Sequence, residues 1–111
     1  MALAIVTVLL LLAAPRFLGH LEKAKETTLR DNLKVMREAI DQYRADTGVY
    51  PDSLTQLVEK RYLKAVPIDP YTETNDRWLT APPAGDEKGT VADVKSNAAG
   101  NTNDGRPLSA L

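Results

Sequence analysis

The chain opens on a run of fourteen uncharged, mostly apolar residues that passes without a linker into a charged, helix-patterned segment. The run, Met1–Ala14, reads MALAIVTVLLLLAA, and no glycine occurs between His20 and Thr47. A helix that crosses a bilayer needs about 20 apolar residues, so the run falls short of a complete span. It also lacks the basic residues that begin a secretory signal. We expect a membrane helix that lacks its first turn or two, with a cleaved signal or a buried soluble helix as alternatives.

Composition limits what can follow this run. We divide the chain into an apolar stem, residues 1–17, and a head, residues 18–111, which has room for one small domain and no deep active site. Residues 16–64 contain ten Lys/Arg and eight Asp/Glu, whereas residues 65–111 contain four and seven. A net charge of −1 provides no basic field for nucleic acid. The absence of cysteine excludes a disulfide framework and a thiolate metal site.

The segment after the stem has the pattern of an amphipathic helix. Its apolar residues are spaced by four, three, four and three positions, which places them on one helix face: Leu29, Leu33, Met36, Ile40 and Tyr43. Charged residues occupy the other faces. Gly48 is a natural C-terminal cap, so we expect the helix to end at Thr47-Gly48.

The rest of the head predicts short elements joined by turns. Ser53 and Gln56 form a capping-box pattern, so a second helix is expected over about Leu54–Arg61, packed against the long helix. Residues Arg77–Thr80 and Thr90–Val94 are strand candidates separated by a loop at Pro82–Asp86. The tail from Ser96 to Pro107 is rich in Asn, Gly and Asp and has too few apolar residues to pack by itself.

The order and spacing of several segments carry a family resemblance. They are Ala13–Phe17, Asn32–Tyr43, Asp46–Pro51, Ser53–Leu57, Val66–Pro70 and Asp93–Ser96. Together they make the chain similar to the type IV pilin-like superfamily, and most similar to the major (G-type) pseudopilin of type II secretion systems. The resemblance covers nearly the whole chain. It implies an α+β fold, in which a long N-terminal helix (membrane stem plus amphipathic half) packs on a small antiparallel sheet.

The resemblance also implies a function. The chain would be a structural subunit of a periplasmic pseudopilus that drives protein export, anchored in the bacterial inner membrane with its head in the periplasm. Its implied partners are other copies in a filament, minor pseudopilins, the inner-membrane assembly platform and the traffic ATPase. The alternative is a major or minor type IV pilus subunit that serves adhesion, motility or DNA uptake. The lack of cysteine favours the secretion branch, because adhesive pilins commonly carry a disulfide.

The chain departs from the family pattern at its N-terminus. Relatives carry a short basic leader, a Gly-Phe cleavage point and a Glu early in the mature helix, and none of these precedes or follows Met1 in the expected register. We therefore assign no processing residues. Processing and methylation by a prepilin peptidase are expected only if the full N-terminus exists.

A calcium site is the one ligand site that the resemblance implies. Major pseudopilins bind Ca²⁺ in their C-terminal loop, and Ca²⁺ takes oxygen ligands. The oxygen donors of this loop are Asp93, Ser96, Asn101, Asn103 and Asp104, and we take Asp93, Ser96, Asn101 and Asp104 as candidate ligands. Only two of these residues are carboxylates. Asn103-Asp104-Gly105 is also an ordinary turn sequence, so a plain turn is the alternative.

Enzymatic motifs are missing from the sequence. His20 is the only histidine, and it lies where the stem meets the charged helix. The sequence contains no nucleophile elbow and no phosphate-binding loop. We expect no catalytic residues.

Overall fold

A computed structural model describes the backbone of residues 2–111 and the side chains of residues 21–111. Within these residues the elements, in chain order, are α1 Ala2–Thr47, α2 Leu54–Glu59, β1 Leu79–Ala81, β2 Asp93–Lys95 and a 3₁₀ turn Leu108–Ala110. One long helix therefore carries a small, mostly irregular head with a two-stranded sheet. This is the α+β, pilin-like architecture that the sequence predicts.

The predicted apolar face of α1 is the centre of the core. All five residues of this stripe are buried, and Leu29, Met36 and Ile40 have no exposed surface. Burying side chains of this size contributes about 1.5–3 kcal/mol each, which fixes the face that α1 turns to the head. The helix ends as predicted, because Gly48 adopts φ +80° and its N–H donates to the carbonyl of Arg44 at 2.8 Å.

Helix α2 begins where its capping sequence predicts but ends earlier than predicted. The hydroxyl of Ser53 accepts from the N–H of Gln56 at 3.0 Å, and the Gln56 side chain accepts from the N–H of Asp52 at 2.7 Å. The predicted end at Arg61 is wrong by two residues. Arg61 adopts φ +68° and forms a Schellman ending, in which the N–H groups of Arg61 and Tyr62 donate to Val58 and Leu57.

The two predicted strands exist but are displaced along the chain. Strands β1 and β2 are antiparallel, with Leu79 opposite Lys95 and Ala81 opposite Asp93. Residues Thr90 and Val91 lie outside the sheet because their N–H groups donate to the carbonyl of Pro51, at 3.2 and 2.9 Å. The second strand therefore starts at Asp93, after this tertiary pairing has ended.

The core joins all parts of the head. Leu57 and Leu63 of the α2 region, Val94 of β2 and Leu108 of the C-terminal turn are buried with the α1 stripe.

In the part of the chain that the structure describes, no helix combines the length and apolarity needed to cross a membrane. The stem, residues 1–17, lies outside the residues whose side chains are described. The membrane helix and the boundary between residues 17 and 18 therefore stay predictions.

Candidate functional site

The first predicted calcium ligand, Asp93, is bound by an arginine of α1. Arg37 projects from the half-buried edge of the stripe, and its Nε donates to Asp93 Oδ1 at 2.9 Å. The Nη2 group of the same guanidinium donates to the carbonyl of Val94, also at 2.9 Å. The Asp93 carboxylate accepts the N–H of Val94 as well, at 2.8 Å. Asp93 thus anchors β2 to α1, across 56 residues of sequence.

The second predicted ligand, Ser96, is bound to a carboxylate that sequence reasoning did not single out. Its hydroxyl is fully buried and donates to Asp69 Oδ2 at 2.5 Å. Asp69 is only 2% exposed, and its other oxygen accepts the N–H of Tyr71 at 2.8 Å. A buried carboxylate is costly unless donors satisfy it, and these donors do so. The pair ties the segment around Pro70 to the end of β2.

The sequence around Asp69 contains one local signal for its role. Asp69 precedes a proline in Val66–Pro70, and Asp in such a position commonly hydrogen-bonds the backbone two residues on. Its burial could not be predicted, because it depends on Ser96, which lies 27 residues away.

The remaining candidates lie in a turn closed by its own side chains. Asn101 pairs with Pro107 through an isolated antiparallel bridge. Inside this bridge, Gly105 N–H donates to the carbonyl of Thr102 at 3.0 Å, so Asn103-Asp104-Gly105 forms the turn that its sequence predicts. Asp104 accepts hydrogen bonds from the hydroxyl of Thr102 and, at 3.2 Å, from Nε of Arg106.

The surroundings of Asp104 favour its charged form. The hydrogen bond from the Thr102 hydroxyl lowers the pKa of Asp104 below its usual value; desolvation opposes it to a smaller extent, and the charge of Arg106 adds a further lowering. A lowered pKa in the folded state stabilises the fold above the pKa of the unfolded chain. This contribution is lost as the pH falls through the folded-state pKa.

In the folded chain, the candidate calcium ligands do not form a ready-made calcium site. Both candidate carboxylates are held by arginines, and the candidate hydroxyl is held by Asp69. Across residues 21–111, no group of three or more His, Cys, Asp or Glu side chains converges on a point that could hold a metal. Calcium needs six to eight oxygen ligands. The calcium site therefore stays a prediction, and it would require these contacts to rearrange.

Two shallow grooves on the head have both polar and apolar lining residues. One of about 380 Å³ lies between α1 and the C-terminal segment, beside the Arg37 contact, and its cationic lining residues are Arg30, Lys34, Arg37 and Arg106. Another of similar size contains Trp78, whose indole Nε1 donates to the carbonyl of Pro67 at 2.8 Å. His20 lies outside the residues whose side chains are described.

These features define a pilin-like subunit: a long helix with one apolar stripe, a two-stranded sheet, and a tail fixed by side-chain hydrogen bonds. The contacts described above hold the loops and the sheet on α1. A comparison with protein families agrees with this class. The family model "Type II secretion system (T2SS), protein G" matches residues 16–107. The chain belongs to this family, that of the major pseudopilin, which is a structural family and not an enzyme family. No curated protein and no solved structure gives a significant match.

Proposed function

We propose that this chain is the repeating structural subunit of a periplasmic pseudopilus, and that growth of the pseudopilus drives protein export by type II secretion. Family membership over residues 16–107 carries the proposal. Members of the family assemble into a pseudopilus with other components of the secretion system.

The surface of α1 supports a role in assembly. The apolar stripe of α1 is buried in the core of the head, whereas Leu21 and Val35 on the same helix are 41% and 49% exposed. A helix with one face in its own head and other faces exposed can contact further copies through heterologous surfaces, which build helical filaments when they do not close into rings. The apolar stem, residues 1–17, would form the filament core and, before assembly, the anchor in the inner membrane.

The proposal includes partners and location. Other copies of the chain, minor pseudopilins, the inner-membrane platform and the traffic ATPase would contact the subunit, with the head in the periplasm. Nucleic acid is not among these partners, because the net charge of −1 supplies no cationic field.

Deleting the gene and measuring secretion tests the proposal. The deletion strain should retain its exported proteins in the periplasm, and the wild-type gene on a plasmid should restore export. Surface pili, adhesion and motility should be unchanged. Loss of pili with export intact would favour the type IV pilus alternative, and unchanged export in the deletion strain would reject the proposal.

A further inference from the structure

In the C-terminal loop, residues 93–107, arginines bind the two carboxylates at which a metal is expected: Arg37 of α1 binds Asp93, and Arg106 binds Asp104. We infer that Arg37 fastens this loop to α1 in place of a calcium ion, so that the head folds without divalent metal. The inference concerns the folding of the head and holds whether or not the chain forms a pseudopilus.

The geometry of Arg37 is that of a clamp. Its two donors contact consecutive residues of β2, the carboxylate of Asp93 and the carbonyl of Val94, each at 2.9 Å. The Val94 side chain is fully buried, so the segment that Arg37 holds is part of the core. A guanidinium stays charged at all relevant pH values and offers its donors in a fixed planar fork, which suits two simultaneous bonds.

The same contacts disfavour a calcium ion. A dication at Asp93 would lie next to the positive charge of Arg37 and would have to take over an oxygen already bound to it. At the other end of the loop, both oxygens of Asp104 accept bonds, from Thr102 and from Arg106. Ser96 contributes its hydroxyl to buried Asp69. Calcium takes six to eight oxygen ligands, and three of the four oxygens of the two candidate carboxylates already accept hydrogen bonds within the protein.

Thermal unfolding of the full chain in detergent, followed by the fluorescence of its single tryptophan, Trp78, tests the inference. The Tm should be the same in excess chelator and in excess calcium. Arg37→Gln should lower the Tm by at least about 5 °C, because it removes two hydrogen bonds donated by a charged group. In a domain as small as this head, a given loss of stability produces a large change in Tm. Arg30→Gln is the matched control, since Arg30 forms its ion pair with Glu26, four residues away on the same helix. Its Tm should change by no more than about 2 °C.

A rise in the Tm of the wild-type chain on adding calcium would overturn the inference, and so would an Arg37→Gln effect no larger than that of Arg30→Gln. A double-mutant cycle gives a second test, with Arg37→Lys replacing Arg37→Gln if the latter does not fold. Asp93→Asn should lower the Tm when Arg37 is present and add little when it is replaced. Fully additive effects would contradict the clamp. Equilibrium dialysis should find no calcium retained by the wild-type chain, and stoichiometric retention would equally overturn the inference.

Discussion

Gly89 occupies a point where two backbone segments meet too closely for any side chain. Its φ is +111°, and a Cβ there would lie 2.3 Å from the carbonyl oxygen of Tyr50. The N–H of Tyr50 donates to the carbonyl of Lys88, and the N–H of Thr90 donates to that of Pro51, on either side of this contact. The sequence shows a glycine here but not which backbone approaches it.

Gly89→Ala should therefore destabilise the head by about 2–4 kcal/mol, from a left-handed backbone conformation combined with a steric clash. Gly85→Ala is the control, because Gly85 also has positive φ (+67°) but has no atom within 4 Å of the added Cβ. It should cost only about 1 kcal/mol. Urea unfolding of both variants measures the difference. Equal losses would show that the Tyr50 contact is unimportant.

The buried pair of Ser96 and Asp69 is the second feature at this scale. Ser96→Ala removes the hydroxyl donor from a carboxylate that is 2% exposed, and should lower the free energy of unfolding by about 1–3 kcal/mol. Ser109→Ala, at an exposed position, should stay within about 0.5 kcal/mol of the wild type. If both variants unfold at the same urea concentration, the pair does not staple the head.

At the scale of elements, the sequence predicted those features that depend on residues close to one another in the chain. The α1 stripe and its end at Gly48 follow from helical spacing and from a residue that tolerates positive φ, so both were predicted from the sequence. The start of α2 followed in the same way from Ser53 and Gln56. The strand bounds did not, because Thr90 and Val91 pair with Pro51, nearly 40 residues earlier in the chain. The surroundings of the predicted ligands Asp93 and Ser96 were not predicted either, because their hydrogen-bond partners, Arg37 and Asp69, are distant in the sequence.

The α1 stripe makes a quantitative prediction. Leu33→Ala and Ile40→Ala should each cost about 2–5 kcal/mol, because both side chains are fully buried and leave cavities. Val35→Ala, on the exposed side of the same helix, should cost less than about 1 kcal/mol. Chemical unfolding of the three variants ranks them. A loss at Val35 as large as at Leu33 would mean that α1 packs through a different face.

The C-terminal end of α2 is strained by its sequence. Arg61 holds φ +68° in a Schellman ending, where glycine is the usual residue. Arg61→Gly should therefore raise the free energy of unfolding, by up to about 1 kcal/mol. Lys60→Gly, at the adjacent residue with φ −90°, should lower it instead. Destabilisation by both substitutions would show that the Arg61 side chain contributes more than its backbone strain costs.

At the scale of the whole molecule, the chain divides its apolar residues between two tasks. The stripe of α1 holds a small head together without disulfides, with ionic and buried polar contacts fixing the loops. The stem, residues 1–17, is mostly apolar in sequence, and the proposed filament would bury it between copies. The family could be predicted from the order of several weak motifs, whereas contacts between copies depend on surfaces that no single chain displays.

Chemical crosslinking in intact cells, followed by immunoblotting, tests the filament account most directly. The account predicts a ladder of multimers at whole-number multiples of the subunit mass. The ladder should disappear, with the monomer still present in membranes, when the gene for the traffic ATPase is deleted. A monomer alone in both strains would contradict the account.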